Sequence, residues 1–274
     1  WQISSEPWAF HLVNIFLYFG IVLAVFLVTR ELTNALLPSV LAGVLFLIHP
    51  IHSEVVNWVA AVPELAFALF ALLSTLFFLR YQKTTKGRLI IFSWIFFFCA
   101  LLAKEPAVLL PVLFVVLDST VFRKKIRDLF SWREIKVYGG FLAAAVTFFL
   151  MRMAVLGPSL IYAGGKPYGD FSFGERVAAF FTLFAQYIEK LFAPYPLLFF
   201  YRFEKDMDFF SPQVLASVVA ALAFFGLMFF LWRRRQWIFL SLAAWMFLFL
   251  LPALVLLDSL GESIFAERYV FVPS

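Results

Sequence analysis

The sequence predicts an all-α integral membrane protein, a polytopic bundle of about eight hydrophobic spans, and three observations carry that expectation. Hydrophobic residues make up 64% of the 274 residues and charged residues only 14%, where soluble domains average roughly 45–50% and about 25%. No soluble fold of this length has interior enough to hide so much apolar surface. Apolar runs of membrane length recur along the chain, and the basic residues gather in short clusters between them. The net charge of +5 is therefore distributed as membrane proteins distribute it, so the expected partner is a lipid bilayer and not nucleic acid.

A bilayer core of about 30 Å asks for roughly 20 apolar residues in helical form. The candidate spans are residues 10–28, 36–49, 65–81, 89–103, 107–122, 137–156, 213–232 and 237–257. Arg80, Lys83, Lys86 and Arg88 follow the third, Arg123 to Lys136 supply six basic residues after the fifth, and Arg233, Arg234 and Arg235 follow the seventh. With these loops in the cytoplasm, both termini and the remaining loops face the other side. Residues 176–203 are apolar enough to enter the membrane yet must begin and end outside. They contain Glu189, Lys190 and the helix breakers of APYP, which points to a re-entrant or surface-lying helix pair.

The unusual polar residues collect on that non-cytoplasmic side. The run HPIHSE joins the second and third spans and brings together His49, His52 and Glu54. Two imidazoles and a carboxylate are able to move protons, hold a metal or bind a sugar hydroxyl. The same run also reads as a helix corner: Pro50 ends one helix and Ser53 or His52 caps the next. Lys104 and Glu105 form a tight turn before Pro106, suited either to an anionic lipid phosphate or to mutual neutralisation in solvent. Glu64 stands at the start of a span, where the helix dipole favours a carboxylate. Arg152, near the outer end of its span, is expected to snorkel to the headgroups rather than pair with an external carboxylate. The tail AERY adds Glu267, Arg268 and Tyr269, and FYRFEKD adds Arg202; two arginines on one face suit a phosphate.

The single cysteine, Cys99, lies in an apolar run and rules out an intramolecular disulfide. Neither a phosphate-binding glycine loop nor a serine nucleophile elbow occurs. The opening at Trp1 and the ending at FVPS read as cuts through a longer protein, with residues 1–274 forming a single transmembrane helical domain.

HLVNIFLY, HPIHSEVVNWV, AKEPAVLLPVLFVVLD, YIEKLFAPYPLLFFYRF and AERYVFVPS occur in this order. The order resembles that of the transmembrane and tetratricopeptide-repeat O-mannosyltransferase family and its bacterial relatives, membrane glycosyltransferases of the GT-C class. The resemblance implies transfer of a mannose-like sugar from a polyprenyl-phosphate carrier to a protein or glycan acceptor outside the cytoplasm. It implies that a carboxylate deprotonates the acceptor hydroxyl and that cations stabilise the departing phosphate. In such enzymes the acidic residue follows the first membrane helix, and this chain is expected to begin after that loop and to end before the repeats.

By position, His49, His52 and Glu54 match the family's His-Pro-x-His-x-Glu run, Lys104 its lysine after a span, and Glu267, Arg268 and Tyr269 its acidic-Arg-Tyr tail. Relatives carry charged residues just before the position of Glu64, where this chain has Ala61, Val62 and Pro63. The roles expected are phosphate contact for Lys104 and Arg268 with Arg202, and a sugar or acceptor pocket shaped by His49, His52 and Glu54. A divalent metal is a possible helper. Two other functions fit the composition: a transporter or flippase of a lipid-linked or anionic substrate, and a non-catalytic membrane anchor for a repeat domain. A transporter would want ionisable groups near mid-membrane and inverted repeats, and neither is visible here.

Overall fold

A computed structural model describes residues 7–157, 171–198, 201, 209–257 and 264–274. Among these residues lie ten α-helices and no strand: α1 (Pro7–Thr33), α2 (Leu36–Ile48), α3 (Ser53–Asn57), α4 (Val62–Thr84), α5 (Gly87–Ala103), α6 (Leu110–Thr120), α7 (Trp132–Leu156), α8 (Phe173–Phe192), α9 (Pro212–Arg233) and α10 (Trp237–Val255). Each expected apolar run is helical, and the chain is an all-α polytopic membrane protein. Among the described residues five stretches are long and apolar enough to cross a bilayer alone, and a sixth forms if Leu36–Ile48 and Pro50–Asn57, bent by 51°, count as one broken span. α5 has 17 residues and α6 only 11. The shortness of α6 has a local cause: Pro106 and Pro111 force a 3-10 turn over Glu105–Leu109 before the α-helix begins.

The helices fall into two compact units, Trp1–Val155 and Leu156–Ser274. In the first, α4 is the central element, with α1, α5 and α6 packed on it. Its contact with α5 includes a reciprocal pair in which each serine hydroxyl, Ser74 and Ser93, donates to the other's carbonyl at 2.8 Å. Small residues and cross-helix hydrogen bonds of this kind replace the hydrophobic drive that lipid cannot supply. Deeper in the unit, Phe78 stacks on Phe114 at 4.3 Å, and Phe141 of α7 meets Phe114 at 5.0 Å and Phe97 edge-on at 5.4 Å. α7 seats on α5 through Gly140. Trp94 fills the space where a Cβ would stand, 2.1 Å from its Cε2, and its indole nitrogen donates to the Val137 carbonyl at 3.0 Å.

The break after Ile48 is held by α1. Tyr18 donates to the carbonyls of Phe46 and Leu47 at 2.8 and 3.0 Å, and the Asn14 amide donates to Val56 and Trp58 at 3.2 and 3.0 Å. These acceptors are the last carbonyls of α2 and α3, which a helix end leaves without intrahelical partners. Asn14 and Tyr18 lie four residues apart and so share one face of α1.

In the second unit α8 packs against α9 and α10. α8 opens with a capping box, Ser172 and Glu175 bonding each other's backbone N–H. It buries Ala178, Ala179, Thr182, Leu183 and Tyr187 along one helical stripe. Phe184 meets Phe224 and Phe225 of α9 at 5.2 and 6.1 Å. Of the helix pair expected over residues 176–203, the described part is this one helix, starting at Phe173, followed by irregular chain through the prolines of APYP.

Gly140→Ala should lower the thermal stability of the detergent-solubilised protein by about 1–3 kcal/mol, since the indole must be displaced. Gly139→Ala, which meets nothing within 4 Å, should be neutral or slightly stabilising. Tyr18→Phe, measured in the same way, should cost about 1 kcal/mol by removing the hydroxyl's bonds to the end of α2.

Candidate functional site

The HPIHSE run folds as a compact corner. His49 leaves α2 in extended conformation and its Nδ1 accepts from the backbone N–H of Ile51 at 3.3 Å. Pro50–His52 make a 3-10 turn and Ser53 begins α3. The His52 ring is turned inward, 2% exposed. Its Nδ1 lies 2.8 Å from the Phe46 carbonyl and 3.0 Å from the Tyr18 hydroxyl. The carbonyl can only accept, so Nδ1 carries the proton and Nε2 the lone pair. His52 lies in the connection between α2 and α4, outside both helices. Burial pushes its pKa down to about 4 and the nearby His49 adds to that, while the bond to Phe46 works the other way. The imidazole is therefore neutral at pH 7, a hydrogen-bonding group and not a cation. His49 and Glu54 are half-buried on the same corner.

Two ion pairs organise the turn between α5 and α6. Lys104 Nζ lies 2.9 Å from Glu64 Oε1, with 11% of the Glu64 side chain exposed. Arg152 Nη1 lies 2.6 Å from Glu105 Oε1. The pairs tie the first turn of α4 and the last turns of α7 to the AKEP turn. Lys104 and Glu105 thus each find a partner on another helix. Arg152, expected to snorkel, has a carboxylate within reach and its side chain is 19% exposed, because the AKEP turn brings Glu105 to it.

In the second unit Glu267 is 2% exposed and accepts a hydrogen bond from the Tyr201 hydroxyl. Tyr201 also lies beside Phe265, at 4.8 Å, and under the Lys190 ammonium, 5.3 Å from its ring centre. Lys190 in turn donates to the Pro196 carbonyl. Tyr187 stacks on Phe265 at 4.6 Å. These contacts fasten the tail to α8 and shape the 3-10 turn Glu267–Tyr269, on which Arg268 stands over the ring of Tyr269 at 5.2 Å. Arg202 lies outside the described residues.

The expected residues thus stand on separate features: His49, His52 and Glu54 on the corner and the pairs Lys104–Glu64 and Glu105–Arg152 at the AKEP turn in the first unit, and Glu267, Arg268 and Tyr269 on the tail in the second. Among the described residues no three His, Cys, Asp or Glu side chains converge as a metal would require, and no ligand set is assigned. The sequence assigned no positioning role to Asn14, Tyr18, Lys190 or Tyr201. Asn14 and Tyr18 had a signal, polar groups spaced four apart on one face of an apolar span. Lys190 and Tyr201 gave none, since their meeting depends on the chain reversal at APYP.

No protein-family profile matches the chain, and no solved structure matches it. Protein O-mannosyl-transferase tmtc2 of Xenopus laevis is 29% identical over 182 residues, which cover 64% of this chain and 21% of that protein. Protein O-mannosyl-transferase TMTC2 of Homo sapiens is 28% identical over 181 residues, with the same two shares. Protein O-mannosyl-transferase Tmtc1 of Drosophila melanogaster is 32% identical over 105 residues, covering 38% of this chain and 12% of that protein. The chain spans about a fifth of the length of the first two relatives, 21% of each. Over nearly two thirds of its length, then, the chain is similar to these TMTC proteins.

Proposed function

We propose that this chain is the membrane module of a GT-C-like glycosyltransferase. It passes a mannose-like sugar from a polyprenyl-phosphate carrier to a protein or glycan acceptor at the non-cytoplasmic face. The observation that carries the reading is the similarity to curated protein O-mannosyl-transferases. In the transfer, the acceptor oxygen forms a bond to the anomeric carbon as the bond from that carbon to the phosphate oxygen breaks. The hydroxyl proton goes to a carboxylate base and the electron pair leaves with the polyprenyl phosphate.

Stabilising the departing phosphate requires a cation already in place. In the first unit Lys104 fills that role, held in position by Glu64, the buried carboxylate 2.9 Å away. Being paired to a lysine in this way suits Glu64 to holding a cation and not to abstracting a proton. His52, neutral and bonded to the end of α2, is a positioning residue that fixes the corner on which His49 and Glu54 meet the sugar or acceptor. In the second unit Arg268 supplies a cation, and the bond between Tyr201 and Glu267 fixes the turn that presents it.

The test is transfer of radiolabelled mannose from dolichyl-phosphate mannose by the full-length protein. Lys104→Ala and Arg268→Ala should each lower transfer by about 100-fold, the order seen when a single charge-stabilising donor is lost. Unchanged activity in both variants would remove these assignments. Single cysteines placed at Ser53 and at Ser274 should react with an impermeant maleimide from the non-cytoplasmic side only. Labelling of the two from opposite sides contradicts the assigned face.

A further inference from the structure

The basic stretch between α6 and α7 is built in a way that the transfer reaction does not use. α6 closes with Arg123 in the left-handed region, at φ 54°, which turns the chain back so that the Lys124 N–H bonds the Asp118 carbonyl at 2.9 Å. Lys124 then points inward. Its ammonium lies 2.9 Å from Asp118 and 2.8 Å from Glu134, both carboxylates almost wholly buried. Asp118 is fastened further by the Tyr138 hydroxyl at 2.8 Å and by Gln82 at 3.3 Å. A buried carboxylate without its cation is costly, so this arrangement fixes the loop firmly to the ends of α4 and α7.

With Lys124 turned in, its neighbours face out. Arg123, Lys125 and Arg127 are exposed, as is Lys136, whose ammonium sits 5.3 Å over the Trp132 ring. Between them the 3-10 turn Ile126–Phe130, its Lys125 N–H capped by Asp128 at 2.9 Å, lifts large apolar side chains outward. Ile126 is 77% exposed, Phe130 74% and Trp132 72%. A rigid loop that alternates exposed cations with exposed large apolar groups is ill suited to bulk water. It matches the boundary of a bilayer, where apolar groups reach the acyl region and cations meet headgroups. Charge complementarity selects the lipid: a Lys or Arg near an anionic surface is stabilised in a way that a zwitterionic surface does not offer.

We propose that residues 123–136 form a binding surface for anionic phospholipid, with Arg123, Lys125 and Arg127 meeting headgroups and Ile126, Phe130 and Trp132 entering the interface. Within the first unit the surface lies at the other end of α4 from the Lys104–Glu64 pair, and its test does not read sugar transfer.

The thermal midpoint of the full-length protein in neutral detergent is measured with added phosphatidylglycerol and with added phosphatidylcholine. Phosphatidylglycerol should raise it by several degrees and phosphatidylcholine should not. The rise should vanish in molar salt, a comparison that needs no variant. The triple variant Arg123→Gln, Lys125→Gln, Arg127→Gln should lose more than half of the rise while keeping its midpoint in phosphatidylcholine. Equal shifts with both lipids, no shift with either, a rise that survives molar salt, or an undiminished rise in the triple variant would each overturn the proposal.

Discussion

Breaking an apolar helix leaves carbonyl groups that the helix itself cannot satisfy, and the first unit is arranged around that constraint. α2 stops after 13 residues, and the corner that follows is tolerated because α1 carries Asn14 and Tyr18 on one face. Those two side chains receive the ends of α2 and α3 in register. His52 is held beside Tyr18 at the same corner, and its burial keeps the ring neutral. Local geometry at the candidate site is thus set by a span that contributes none of the residues first suspected of chemistry. With the corner anchored, α4 can start directly after it and take the central position against which α1, α5 and α6 pack.

Charge in the first unit is sorted to the helix ends. At one set of ends, Glu64 meets Lys104 and Glu105 meets Arg152. At the opposite ends, Glu31 binds Arg80 and Lys83 at 2.8 and 2.9 Å, and Lys124 serves Asp118 and Glu134. The apolar middle of the bundle is left to the Ser74–Ser93 pair and to phenylalanines, which need no counter-charge. The two sets differ in what they restrain. Glu64 and Arg152 act on a turn that presents a lysine to the proposed carrier phosphate. Lys124 acts on a loop whose neighbouring cations are turned outward.

The second unit solves a related problem with different parts. Its tail carries the residues of interest but has little helix of its own, only the 3-10 turn Glu267–Tyr269. It is held by aromatic packing and by one buried acid, Glu267, whose partner Tyr201 comes from the far side of a proline-rich reversal. Burial of Glu267 in this way fixes the backbone beside it, and Arg268 and Tyr269 are presented as a consequence.

Composition and the spacing of apolar runs were enough by themselves to determine that this is a multi-span helical membrane protein, because a bilayer sets the length of every span that crosses it. The same reading located the corner at HPIHSE and the AKEP turn, since proline and charge interrupt an apolar run visibly. The partners of those residues were beyond it. Arg152 and Glu105 are 47 positions apart and Asn14 and Trp58 are 44 apart, and no local pattern records which helices pack side by side. Tertiary structure decided that Lys104 belongs to Glu64, that His52 faces inward while His49 does not, and that Lys124 turns away from its basic neighbours. The reason is physical: propensity and hydropathy act over one or two turns of chain, whereas the choice of counter-ion or carbonyl is made by whichever group packing brings within 3 Å or so.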